Sequence, residues 1–332
     1  MSETAPPDSA MTRGLTPRER SLPRFLLTLA VGIVVFFIVT LVTLVAVALL
    51  YVPLFHWPAP TSRAGIVALL GRLAALGASD ARTFEPAVQI VGIAVASNVV
   101  PFFAFIGVAV LFTGRSLREL CTAPPRFRWR LLAAGFLLAC VIVGPFMVLA
   151  EHFDPKAGPI PILAVSPAAA LRGTYAILCA LAFLPAAMGE EILFRGWLLR
   201  QLGGVIRSWG PLMLLNGAIF AAAHLDFAPE AFLERWIMGA GFTYMTLRLG
   251  GVELSSGVHF ANNLIIVLFI QPLTLKPSPN TPIDPSALVG VLALFGSYIA
   301  MAEVACRWRS LRDWAGAGLA LAPPPFFAKP SV

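Results

Sequence analysis

The groups in this sequence that could do chemistry are two adjacent carboxylates, an arginine four residues on, two histidines and an asparagine, and all of them lie in apolar runs. Glu190, Glu191 and Arg195 stand in MGEEILFRGWLLR, Phe220 and His224 in NGAIFAAAHLDF, and His259 and Asn263 in SSGVHFANNLII. On a helix Glu191 and Arg195 share a face at i and i+4, in the favourable order for an ion pair. Glu190 points about 100° away from its neighbour. That separation divides the roles: Arg195 holds Glu191, and Glu190 is left for general-base work. His259 and Asn263 lie one turn apart on one face, and an imidazole with a carboxamide is a donor pair suited to a developing oxyanion. Asn262, on another face, is expected to take no part. Each motif alone also has a plainer reading: a structural acid–arginine network, a packed histidine, and an asparagine that hydrogen-bonds between helices.

Ionisable groups inside a membrane span cost about 2.5–3.5 kcal/mol each at mid-helix, so those that occur mark functional sites by default. That argument applies here because the chain is a membrane protein. Of its 332 residues 58% are hydrophobic and 12% charged, against roughly 25% charged for a soluble domain, and its mean hydropathy is +0.83. A soluble enzyme, a disordered chain and a nucleic-acid-binding domain are excluded, and no nucleic-acid partner is expected; the partners are the lipid bilayer and a membrane-associated substrate. Cys121, Cys140, Cys179 and Cys306 form no CxxC pair.

Runs long enough to cross about 30 Å of hydrocarbon predict an all-α polytopic helical bundle of about eight spans. They are Phe25–Tyr51, Pro86–Thr113, Leu131–Ala150, Ala169–Leu199, Trp209–Phe227, Ala231–Leu249, Leu254–Ile270 and Ser286–Cys306. A signal peptide is excluded for the first, whose apolar stretch exceeds the 7–15 residues of an h-region. The net charge is +7, and nearly all of the positive charge is arginine. Arginines gather before the first span (Arg13, Arg18, Arg20, Arg24) and between the second and third (Arg115, Arg118, Arg126, Arg128, Arg130). By the positive-inside rule both termini are cytoplasmic, and the arginine-rich, lysine-poor composition points to a bacterial inner membrane. The stretch Ala64–Leu76 in the first loop is read as an interfacial helix.

The organisation expected is a disordered cytoplasmic tail (1–23), a three-span region (24–168), a core that carries the three motifs (169–272), a last span (273–312) and a disordered tail (313–332). Counted from the inner helix ends, Glu190 lies about 15 Å deep, His224 about 22 Å and His259 about 12 Å. These heights allow one site, in a polar cavity opening to the cytoplasm, with Gly257 and Ala261 among its small flanking residues.

The ordered set Glu190-Glu191-x-x-x-Arg195, Phe220-x-x-x-His224 and His259-x-x-x-Asn263 resembles the CPBP family, the CAAX prenyl protease and bacteriocin-processing group of intramembrane proteases, also called Abi. The resemblance covers about residues 169–272, and all three motifs match. It implies a membrane-embedded endopeptidase with a four-helix catalytic core. In it Glu190 would activate water with help from His224, and His259 with Asn263 would stabilise the tetrahedral oxyanion. Glu191 and Arg195 would shape the site, and Phe220 would pack beside it. Glu190, His224 and His259 are also zinc-compatible ligand types, though no His-Glu-x-x-His pair occurs and metal-independent chemistry is the expectation. The rivals are a non-catalytic scaffold or immunity protein, and a small-solute transporter using the buried acids and histidines as an ion path.

Overall fold

In lipid every backbone N–H and C=O must be satisfied within the protein, which leaves helices or closed barrels as spanning elements. The computed structural model describes residues 9–153, 158–276, 278, 280, 283 and 285–322, and among these no strand forms. Twelve helices are named here: α1 Leu22–Phe55, α2 Arg63–Gly77, α3 Phe84–Thr113, α4 Leu117–Cys121, α5 Trp129–His152, α6 Pro161–Ala164, α7 Ala169–Gly203, α8 Trp209–Ala223, α9 Pro229–Leu249, α10 Glu253–Ile270, α11 Pro285–Arg307 and α12 Arg309–Ala315. The all-α polytopic bundle is therefore observed, and the chain is an integral membrane protein.

All eight predicted spans fall on helices. Six of these (α1, α3, α5, α7, α10 and α11) are long and apolar enough to cross a membrane. The remaining two, α8 and α9, form a hairpin packed closely together. Because neighbours cover the lower half of α9, with every residue from Gly239 to Leu249 buried, it needs little lipid-facing apolar surface. Helix α8, at 15 residues, is only about 22 Å long, well short of roughly 30 Å of hydrocarbon.

Close helix approach positions the core. Helix α10 packs most extensively on α5, and a Cβ on Gly257 would collide with the Leu132 carbonyl and lie 2.8 Å from the Phe136 nitrogen. Gly257 thus serves a helix crossing rather than a cavity wall, as does Ala261, which is fully buried in the main core cluster. Helices α3, α7 and α10 each contain a π-turn, at Val95–Val99, Ile192–Leu198 and Ile266–Ile270. Such wider turns recur at functional sites, and the second begins directly after Glu191.

One end of the bundle is fastened by ion pairs among the arginine-rich segments. Glu19 accepts from Arg115 at 2.8 Å and from Arg200 at 3.0 Å, Arg128 grips Glu253 at 2.9 and 2.7 Å, and Arg248 donates to Glu303 at 2.8 Å. The segments predicted to be cytoplasmic therefore share one end. At the other end Asp80 pairs with Lys276 at 3.0 Å, and Asp226 accepts from Arg235 at 2.9 Å and Ser278 at 2.6 Å.

The two tails are corrected where they are described. Residues 1–8 and 323–332 lie outside the described residues, but from Ser9 to Ser21 and from Asp313 to Ala322 the chain is packed. Ser9 Oγ donates to the Leu247 carbonyl at 2.6 Å, Ala322 N donates to the Arg248 carbonyl at 3.0 Å, and Met11 and Ala317 are fully buried. Thr16 and Glu19 form a reciprocal capping pair at 2.7 and 3.2 Å, and the Thr-x-x-Glu spacing was its sequence signal.

Burial works against the charged form of Glu19, but the Arg115 guanidinium, the Thr16 amide and Arg200 outweigh it and hold the carboxyl below its usual 4.5. A carboxyl lowered on folding contributes stability above its unfolded pKa and loses it as pH falls through the folded value. Wild type should therefore melt above Glu19→Gln at pH 7, by an amount equivalent to about 1.5–3 kcal/mol for the lost charged hydrogen bonds. The gap should close on acidification below pH about 4.5. Circular-dichroism melts of detergent-solubilised protein across that range check it.

Candidate active site

Helix α7 carries both glutamates, and the hundred-degree step between them sends their side chains to different neighbours. Glu191 is fully buried and accepts from Arg195 Nη1 at 3.0 Å. The same oxygen also accepts from His259 Nδ1 at 3.0 Å, so Glu191 is shared between the arginine and the histidine. Arg195, itself fully buried, donates its other terminal nitrogen to the Gly239 carbonyl at 3.0 Å and lies 4.2 Å over the Phe220 ring. The π-turn carbonyl of Phe194 accepts from Asn216 Nδ2 at 2.9 Å, and Asn216 Oδ1 accepts from Thr243 at 2.9 Å. This framework locks α7, α8 and α9 together around the acids.

Glu190 faces the other way. His259 Nε2 lies 3.8 Å and His224 Nε2 4.0 Å from the same atom, Glu190 Oε2, which is buried and has no hydrogen-bond partner among the described residues. Both separations exceed a direct hydrogen bond and suit groups that share a water. Each imidazole is aimed from behind: His259 Nδ1 donates to Glu191, and His224 Nδ1 donates to the Phe220 carbonyl at 2.8 Å. Phe220 stands edge-on to both rings, with centroids 4.8 Å from His224 and 6.0 Å from His259, and Phe242 lies 5.1 Å from His259.

The structure brings Glu190, Glu191, Arg195, Phe220, His224 and His259 together. Asn263 lies one turn beyond His259 on α10, half-buried, with no side-chain hydrogen bond among the described residues. Asn262 is more deeply placed than expected, 6% exposed, with its Nδ2 3.6 Å from Met238 Sδ. The contribution of α9, through the Gly239 carbonyl, Phe242, Met238 and Thr243, had no signal in the sequence, since a backbone acceptor has no residue signature.

The end of the fifth span is also corrected. The fifth span was expected to continue to Phe227, but α8 stops at Ala223. His224 is its C-cap, and Leu225 takes a left-handed φ of 54°. The His224 side chain is 31% exposed while those of Glu190 and His259 are 12% and 3%. Adjacent Asp226 bonds Ser278, at the end of the bundle opposite the arginine belt. His224 is thus the most exposed of the three groups, and it sits at the turn that faces the end opposite the arginine belt.

The donor types of Glu190, His224 and His259 suit zinc, and their separations are a few tenths of an ångström wider than those around a bound tetrahedral ion. Ligands 2.0–2.2 Å from a tetrahedral ion lie roughly 3.3 Å apart, below the 3.8 and 4.0 Å here. Among the described residues no group of three His, Cys, Asp or Glu side chains is arranged to hold a metal ion.

Residues 172–265 match the family model described as type II CAAX prenyl endopeptidase Rce1-like. The chain is also similar to the Uncharacterized protein YyaK of Bacillus subtilis (strain 168), with 28% identity over 184 residues that cover 52% of this chain and 60% of YyaK. It thus spans about three fifths of the length of the curated relative it matches. No solved structure matches it. The matched stretch holds both acids, both histidines and Asn263, and over it the chain is similar to the Rce1-like type II CAAX prenyl endopeptidases.

Proposed function

We propose that the protein is an intramembrane endopeptidase that hydrolyses peptide bonds of membrane-associated peptides or proteins. The observation that carries this reading is the approach of two imidazole Nε2 atoms to one buried, unpartnered carboxylate oxygen of Glu190. His224 donates its Nδ1 proton to Phe220, so in the neutral ring Nε2 holds a lone pair. A water between Glu190 and His224 then finds two acceptors, and its oxygen lone pair is turned toward the substrate carbonyl. Glu190 takes a proton as the water oxygen adds to the carbonyl carbon, and the carbonyl electron pair moves to oxygen. That oxyanion is met by His259 and Asn263. With Nδ1–H committed to Glu191, His259 donates from Nε2 only as the doubly protonated imidazolium. Collapse of the intermediate breaks the C–N bond, and Glu190 returns its proton to the leaving amine.

Prenylated peptides are one substrate class to test, given the family description; peptides or proteins of a bacterial inner membrane are the broader class. Both termini are assigned to the cytoplasm on the arginine distribution, which sets the mouth of the site at the opposite face.

The test uses purified protein in liposomes with a quenched-fluorescence farnesylated peptide ending in a C-a-a-X sequence. Membrane proteomes of cells expressing wild type or Glu190→Ala are compared in parallel. Wild type should cut the peptide or deplete specific membrane proteins, and Glu190→Ala and His224→Ala should not. An uncut peptide together with identical proteomes overturns the reading, and normal cellular function in both mutants favours a scaffold. Zinc below about a tenth of an equivalent in active protein, with activity resistant to chelator, is the expected outcome of metal analysis; one equivalent of zinc required for turnover would reinstate a metalloenzyme.

A further inference from the structure

The neighbour of the oxyanion pair is itself unsatisfied. Asn262 lies three residues after His259 on α10, roughly 60° round the helix from it. It is 6% exposed, and its carboxamide oxygen is buried without a partner. Its nitrogen reaches only the thioether of Met238, at 3.6 Å, and sulfur there is a weak acceptor. Met238 stands directly before Gly239, whose carbonyl receives Arg195, so the carboxamide lies beside the same layer of α9 that backs the catalytic cluster. Buried side-chain amides are normally paired on both arms, and one left open in a native protein calls for an explanation. Simple glue between α9 and α10 does not supply it, because the stronger arm, the oxygen, is the one left free.

A carboxamide with one open acceptor and one weakly engaged donor matches a peptide unit, which offers one N–H and one C=O. We infer that Asn262 binds the main chain of the substrate next to the scissile bond, its oxygen accepting from a substrate N–H and its nitrogen leaving Met238 to donate to a substrate C=O. The inference rests on the protease reading above and adds to it a binding residue that recognises backbone rather than side chain. Asn262 then fixes the register of an unfolded segment, while His259 and Asn263 act on the reacting carbonyl. Selection among substrates by this contact requires only that the segment be extended and unpaired, because a helical segment has already used its amides.

The experiment compares Asn262→Leu with wild type in liposomes, using the farnesylated quenched-fluorescence peptide for turnover and circular dichroism for melting. The expected result is a KM raised about tenfold, as loss of roughly 1.4 kcal/mol of binding corresponds to, with kcat changed less than threefold and melting temperature unchanged or higher. A main-chain contact of equal strength in ground and transition states moves KM alone. Asn263→Ala should instead lower kcat. A lowered melting temperature in Asn262→Leu means that the carboxamide is already paired in the free protein, and overturns the inference whatever the peptide does. Wild-type cleavage with an unchanged KM in Asn262→Leu overturns this inference alone. Failure of wild type to cut the peptide or alter the membrane proteome removes the protease reading, and the inference with it.

Discussion

Replacing Glu190 by glutamine should lower turnover by about 10³-fold or more while leaving the melting temperature within a few degrees of wild type. Positioned acid–base groups contribute on the order of 10²–10⁴, and Glu190 would act twice, taking the proton of water and returning it to the amine. The fold should not suffer, because the Glu190 Oε2 atom makes no hydrogen bond among the described residues and the His259 and His224 Nε2 atoms stand 3.8 and 4.0 Å away. The amide keeps size and shape but cannot accept a proton at neutral pH. His224→Ala should cost less, since the carboxylate remains. Rates from purified protein in liposomes, with melts on the same preparations, decide the matter: a Glu190→Gln enzyme with more than a tenth of wild-type turnover cannot be reconciled with a glutamate base.

The largest loss of stability is expected from Arg195→Leu, about 3–5 kcal/mol. Arg195 and Glu191 have no exposed surface, and the arginine joins Glu191 on its own helix to the Gly239 carbonyl of α9 while lying over Phe220. Removing it leaves a carboxylate buried without its cation and a carbonyl without its donor. Lysine restores the charge but not the planar fork that reaches both acceptors at once, so Arg195→Lys should fall between the two. Denaturant titration of detergent-solubilised protein followed by tryptophan fluorescence measures this. An unshifted midpoint in Arg195→Leu would mean that the pair is incidental to the fold.

The contrast between Glu190 and Glu191 explains what was legible beforehand. Helical spacing alone assigns Glu191 to Arg195 and frees Glu190, since both facts follow from angles along one helix. That His259 also takes Glu191 required knowing how α10 lies against α7, which spacing along either helix alone does not give. The end of the fifth span was not legible either: the left-handed turn at Leu225 ends α8 at Ala223, and nothing in NGAIFAAAHLDF announces it. Asn262 was set aside on helical angle, yet burial of its carboxamide is a property of the neighbouring Met238. The packed segment after Ser9 was masked by polar composition, although Thr16 and Glu19 carry a cap spacing that composition ignores.

The 15-residue α8 bears on the surrounding lipid as well as on chemistry. On the flank where the α8–α9 hairpin turns, the apolar perimeter is about 8 Å lower than a full crossing requires. Acyl chains beside it must tilt or shorten, a local mismatch that thins the leaflet. On the protease reading the surrounding lipid would be part of the entrance: a protein segment resting at the headgroup level would meet a shortened barrier on the side where His224 is exposed.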